Sequence, residues 1–223
     1  MKLHKTLTII VIFFLIMSIV LGICTRNSYK YYDSHIAMVK LNPNISDDLI
    51  SDITAKNLLA ELDNQDVILI VSIINNKNIH QGTKTTATVN KVIKGNLDIT
   101  GTQIIIYEPN FMYYNKATNK YEYYYVNNIN NLMQPGKEYL VFLDEIHYSK
   151  AYTETLDRKE FKADIDLQLY SFPLYKSIEF INKNNKEDLT YNDVRNYDFF
   201  CYNEKEKTKL ESLINTILDT YNT

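Results

Sequence analysis

The chain has 223 residues, 24 basic and 27 acidic side chains, and a formal net charge of −3 at pH 7. No Lys/Arg block or basic field is present to draw in nucleic acid, so no nucleic-acid partner is expected. With only two cysteines, Cys24 and Cys201, a disulfide scaffold is excluded and stability must come from a hydrophobic core.

The chain opens on Met1-Lys2-Leu3-His4-Lys5 and enters an uncharged apolar run from Leu7 to Ile23. At about 1.5 Å of rise per residue, Thr6 to Thr25 spans roughly 30 Å, the thickness of a bilayer's hydrocarbon core. Three readings compete: a cleaved signal peptide, a lipoprotein signal and a retained anchor. A cleavable signal has a shorter apolar core followed by small residues, and only Gly22-Ile23-Cys24 offers that pattern. Leu21-Gly22-Ile23-Cys24 looks like a lipobox, but Ile23 stands where a small residue precedes a lipidated Cys. The retained anchor fits best, with residues 1–25 as the membrane segment and the remainder outside the cytoplasm. The charge bias is small, since Lys2 and Lys5 compete with Arg26 and Lys30.

Residues 26–44 are polar and aromatic without a period and read as a tether. After Pro43, Ser46 is a candidate N-cap with Asp47 and Asp48 in the first helical turn, and Leu49, Ile53, Leu59 and Leu62 roughly follow one stripe. From Asp66 to Ile74 a near-continuous β-branched run predicts a buried strand. Thr83 to Ile93 alternates, with Ala87, Val89, Lys91 and Ile93 on one face and Thr86, Thr88, Asn90 and Val92 on the other. Turns at Lys94-Gly95-Asn96, Gly101-Thr102 and Pro135-Gly136 separate further strands at Gln103 to Tyr107, Tyr121 to Val126 and Glu138 to Leu143. Phe161 to Tyr170 gives one more alternating stretch. At the C-terminus, Asn203 with Glu206 three residues on starts a helix, and Leu210, Leu213, Ile214, Ile217, Leu218 and Tyr221 form its apolar stripe.

Short strands with little helix between them predict a mainly β (α+β) fold. The expected architecture is a small antiparallel OB-like barrel with one helix before it and an amphipathic helix after it. The expected division is a helix-plus-barrel domain at 45–180 and a helical extension packed on it at 181–223. The order from Leu58-Leu59-Ala60-Glu61-Leu62 through Thr88-Val89-Asn90-Lys91-Val92-Ile93-Lys94-Gly95-Asn96 to Pro135-Gly136-Lys137-Glu138-Tyr139-Leu140-Val141-Phe142-Leu143 resembles a known pattern. It is similar to extracytoplasmic proteins of low-GC bacteria whose domain is like the netrin-like and tissue-inhibitor-of-metalloproteinases OB barrel. The resemblance covers about residues 55 to 146 and rests on turn and strand order rather than on chemistry. Those inhibitors act through an N-terminal Cys within a disulfide-rich frame. This chain has neither, so that activity does not carry over.

Chemistry-bearing residues are sparse. The histidines His4, His35, His80 and His147 have no zinc spacing, and no P-loop, G-x-S-x-G or dinucleotide fingerprint occurs, so no metal, cofactor or catalytic residue is expected. His147 behind Asp144-Glu145 reads as a solvated strand end. The candidate binding residues are Phe111, Tyr113, Tyr114, Tyr121, Tyr123 and Tyr125, gathered around the polar tip Asn115 to Lys120. Aromatic faces there can stack on sugars or anchor a protein partner; the competing reading is one apolar face of an ordinary hairpin strand. The expected function is a non-enzymatic, membrane-tethered module that binds an envelope protein or glycan. The alternative is an envelope hydrolase whose site is assembled from distant strands and has at least two acidic or His side chains converging on a concave pocket.

Overall fold

The computed structural model describes residues 10–25, 40–41, 53–79, 82–96, 98–115, 120–124, 129–148, 158–164, 167, 169–175, 178–182, 195–201 and 203–221. Residues 10–25 form helix α1, with its large apolar side chains exposed. Among the described residues no helix is long and apolar enough to cross a membrane. Of the expected tether, only β1 (Lys40–Leu41) is described.

Helix α2 spans Ala55–Asp63, and its N-cap is Thr54, whose hydroxyl accepts from the Asn57 N–H at 3.3 Å. Thr54 has extended backbone, so the helix starts there rather than running on from Ser46. Ser46, Asp47, Asp48 and Leu49 lie outside the described residues. The buried stripe is Leu58 and Leu62, with Leu59 only partly buried.

Nine of the strands follow in chain order: β2 (Val67–Ile79), β3 (Gly82–Lys94), β4 (Gln103–Glu108), β5 (Phe111–Asn115), β6 (Lys120–Tyr124), β7 (Glu138–Glu145), β8 (Lys159–Lys162), β9 (Ser171–Pro173) and β10 (Phe180–Asn182). Strand β11 (Phe199–Cys201) and helix α3 (Glu204–Thr220) complete the described elements. The main sheet has the order β2-β3-β4-β8-β7-β9, and β2 also pairs with β7, so five strands close into a ring. All of its pairings are antiparallel except β4 with β8, which run parallel, so the sheet is mostly rather than wholly antiparallel.

The apolar runs of β2 and β7 have a tertiary cause. Val67, Leu69 and Val71 face the same way as their register partners Leu143, Val141 and Tyr139, into the ring. Ile68 and Phe142 face outward, as do Leu140 and its β9 partner Phe172, and all four are buried. The Tyr221 ring at the end of α3 meets Phe142 edge-on at 5.2 Å, which identifies the outward face as the helix side. Both faces of these strands are therefore covered, which is why they read as continuous rather than alternating apolar runs. Leu210, Leu213, Ile214 and Ile217 of α3 join the same hydrophobic cluster.

Two sequence expectations need correction. Strict alternation in β3 fails because Val71 pairs with Val89 while Ile70 pairs with Lys91, leaving Asn90 as the extra residue of a bulge. The bulge reverses parity, so Val92, opposite Leu69, shares the inward side with Val89. The stretch from Phe161 to Tyr170 is not one strand: β8 stops at Lys162, and Leu169 and Tyr170 are buried outside any strand just before β9. The turn at Pro135-Gly136 is present, with Gly136 at φ 81°, a left-handed conformation that favours glycine.

Candidate functional site

Of the aromatic residues singled out in the sequence, the described ones lie on a hairpin that belongs to a sheet other than the ring's. Strands β5 and β6 pair antiparallel and β1 adds to β6 in parallel, giving a separate three-stranded sheet. The register sets Tyr114 opposite Tyr121 and Met112 opposite Tyr123, while Tyr113 is opposite Glu122 and Phe111 opposite Tyr124. Tyr125 lies outside the described residues.

One end of the ring is closed by a buried polar network. Glu108, at the end of β4, is buried with Thr83, Thr85, Asn110 and Tyr170. One carboxyl oxygen, Oε2, accepts from the Tyr170 hydroxyl at 2.9 Å and the Met133 N–H at 3.2 Å. The other, Oε1, meets the Thr85 hydroxyl, which also lies 3.2 Å from Asn76 Oδ1. A hydroxyl has one proton and cannot donate to both, and a proton on Glu108 Oε1 satisfies the whole chain. Burial agrees: it pushes the Glu108 carboxyl up to about 7 against the lowering effect of the Thr85, Tyr170 and Met133 hydrogen bonds. Asn130 extends the plug, donating to the Ser171 carbonyl at 2.7 Å and accepting from the Tyr170 N–H at 3.0 Å.

Asp198 anchors the C-terminal segment over the same end. It accepts from the Tyr175 hydroxyl, from Gln134 Nε2 at 3.1 Å and from the Glu179 N–H at 3.0 Å. Burial raises its carboxyl above the usual range. Every described contact of these two carboxylates ties chain segments together, which marks the network as a structural latch.

The other end of the ring carries a cleft of about 500 Å³. It lies among Ile99, Thr102 and Gln103 at the start of β4, Glu145, Ile146 and Tyr148 at the end of β7, and Arg158 to Phe161 entering β8. Ile99 and Phe161 form a buried apolar floor. Glu160 has a side chain only 9% exposed. Its Oε2 accepts from Tyr148 at 2.7 Å and Tyr107 at 3.1 Å, while Lys84 Nζ stands 4.0 Å from Oε1. The hydrogen bond to Glu160 fixes the Tyr148 ring at the cleft wall. Glu145 is the register partner of Phe161, so it and Glu160 occupy opposite faces of the β7–β8 pair.

Among the described residues no group of three His, Cys, Asp or Glu side chains is placed to hold a metal ion. His147 is exposed, beside the cleft rather than within it. Burial and the carboxylates Glu206 and Glu204 push the Cys201 thiol up to about 11, which suppresses its thiolate.

Sequence reasoning passed over the cleft residues. In the sequence Glu145 reads with Asp144 and His147 as a strand end, and Glu160 lies just before the stretch that reads as alternating. The Tyr148–Glu160 contact joins residues twelve apart in sequence, so no periodicity announces it. Glu108 had a readable signal: it continues the two-residue spacing of Ile104 and Ile106, whose side chains fill the ring. No protein-family model matches this chain, and no curated protein sequence matches it either.

Proposed function

We propose that this chain is a membrane-tethered binding module of the cell envelope, built on an OB-like barrel held outside the cytoplasm by its N-terminal run. The observation that carries the reading is the order of the ring. Counting β2, β3, β4, β7 and β8 as strands one to five, strand one pairs with two, two with three, three in parallel with five, five with four, and four with one. That order supports the reading of an OB-like barrel, an architecture that binds ligands at its loops and strand faces, in line with the resemblance to the netrin-like barrels. The tether is supported by α1, where Ile10, Phe13, Phe14, Leu15 and Leu21 are all exposed, an apolar cylinder that a lipid phase would cover. The full chain in detergent micelles, exposed to envelope glycans and native membrane extracts, is expected to retain a specific ligand or partner. Retention of nothing above background overturns the reading.

One observation favours a second reading, an envelope hydrolase: two carboxylates, Glu145 and Glu160, border one cleft. Their placement on opposite faces and the two tyrosine hydroxyls held by Glu160 weigh against a pair acting across one bond. Turnover of an envelope polymer that is lost in both Glu145→Gln and Glu160→Gln decides for the hydrolase.

A further inference from the structure

The cleft at the end of the ring formed by β4, β7 and β8 combines three properties that point to one ligand chemistry. The first is charge balance. Its lining has two cations, Arg158 and Lys159, and two carboxylates, Glu145 and Glu160. An anion approaching the cations meets the carboxylates, and a cation meets the reverse. A ring of hydroxyls, each both donor and acceptor, can use all four together with the Gln103 amide.

The second property is an aromatic wall already held in place. Tyr148 is fixed by its 2.7 Å hydrogen bond to Glu160 and borders the cleft. A sugar's C–H face packs on such a ring with little further loss of side-chain freedom. The third is the deeply seated Glu160 carboxylate. Its Oε2 accepts from two tyrosine hydroxyls, whereas among the described residues Oε1 has Lys84 Nζ as an ion-pair partner at 4.0 Å, beyond hydrogen-bond reach. A carboxylate oxygen in that state, on a side chain only 9% exposed, can accept from a ligand hydroxyl. The volume lies in the range of small-ligand sites.

We infer that this cleft is a saccharide site, taking a neutral glycan unit against Tyr148 with its hydroxyls on Glu160, Gln103 and Arg158. The inference rests on the binding-module reading and names its ligand class and place. It moves the site from the Tyr-rich hairpin to the opposite feature of the domain, the strand ends at β4, β7 and β8.

The test is titration calorimetry of the full chain in detergent micelles with neutral N-acetylglucosamine and glucose oligomers. Polygalacturonate and glucosamine oligomers serve as the charged counterparts. Neutral oligomers are expected to bind best. Tyr148→Ala and Glu160→Gln should each weaken binding by about tenfold or more, and Tyr148→Phe, which keeps the ring, by less. Hydrogen exchange on the unaltered protein gives a readout free of any folding defect in the variants: saturating oligomer should slow exchange at 99–103, 145–148 and 158–161. Protection confined to 111–124, unchanged affinity in both disruptive variants, or binding of charged polymers alone overturns the assignment. A specific protein partner from membrane extracts with no saccharide binding sinks the cleft assignment and leaves the binding-module reading standing. Saccharide turnover abolished by Glu160→Gln upholds the site and overturns the non-catalytic reading.

Discussion

At the scale of single residues, Glu108 dominates. Its folded carboxyl titrates near 7 rather than 4.5 because burial disfavours the charge. A carboxyl raised in this way contributes stability that is fully present below pH 4.5 and is lost as pH rises through 7. The difference amounts to about 3 kcal/mol at 1.36 kcal/mol per pH unit. Glu108→Gln mimics the protonated acid, with its NH₂ toward Thr85 and its carbonyl toward Tyr170. Urea denaturation from pH 4.5 to 8 should show the wild type losing ground against this variant as pH rises, and a pH-independent difference sinks the assignment. Asp198→Ala strips the acceptor from Gln134, Tyr175 and the Glu179 N–H, and is expected to cost about 2–4 kcal/mol in the same measurement.

At the scale of elements, α3 is the most legible part of the chain. Asn203 Oδ1 accepts from the Glu206 N–H at 3.0 Å, as the spacing of the two residues predicts, and the stripe of Leu210, Leu213, Ile214 and Ile217 is buried. Asn203→Ala should cost about 1 kcal/mol. Ile214→Ala, at a fully buried position, should cost about 2–5 kcal/mol. Thermal melts that rank Asn203→Ala above Ile214→Ala in damage contradict this packing. The strands were less legible at their limits. The Asn90 bulge reverses inward and outward residues partway along β3, and a pattern of period two cannot anticipate an inserted residue. Helix α2 moved for a local reason: Thr54 caps it directly, whatever the residues from Ser46 onward do.

At the scale of the whole molecule, the outward face of β2, β7 and β9 connects ring and helix. Ile68, Leu140, Phe142 and Phe172 are buried there, with Tyr221 against Phe142. Deleting residues 203–223 uncovers that face. The truncated chain should bind a hydrophobic dye such as ANS and lose cooperative unfolding; a cooperative, dye-silent truncation would show that the ring stands without the helix. The reading of a tethered outer domain belongs to this scale as well. Protease shaving of intact cells should degrade the domain while a cytoplasmic marker survives, and protection of both places it on the other side of the membrane.

What the sequence determined by itself is what local chemistry encodes. The apolar run before Arg26, the glycine turns at Gly95, Gly101 and Gly136, the β-branched strands and the stripe of α3 all follow from side-chain and backbone preferences within a few residues. The tertiary structure alone decided which strand edges meet. Closure of β2 on β7 and the parallel step from β4 to β8 join segments distant in the chain, and periodicity within a segment carries no information about its partner. That closure also separates two kinds of carboxylate. Glu108 is sealed in a polar plug at one end, whereas Glu160 is set in the wall of an open cleft at the other. Their neighbours, not their own positions in the sequence, make one a structural acid and the other a candidate ligand contact.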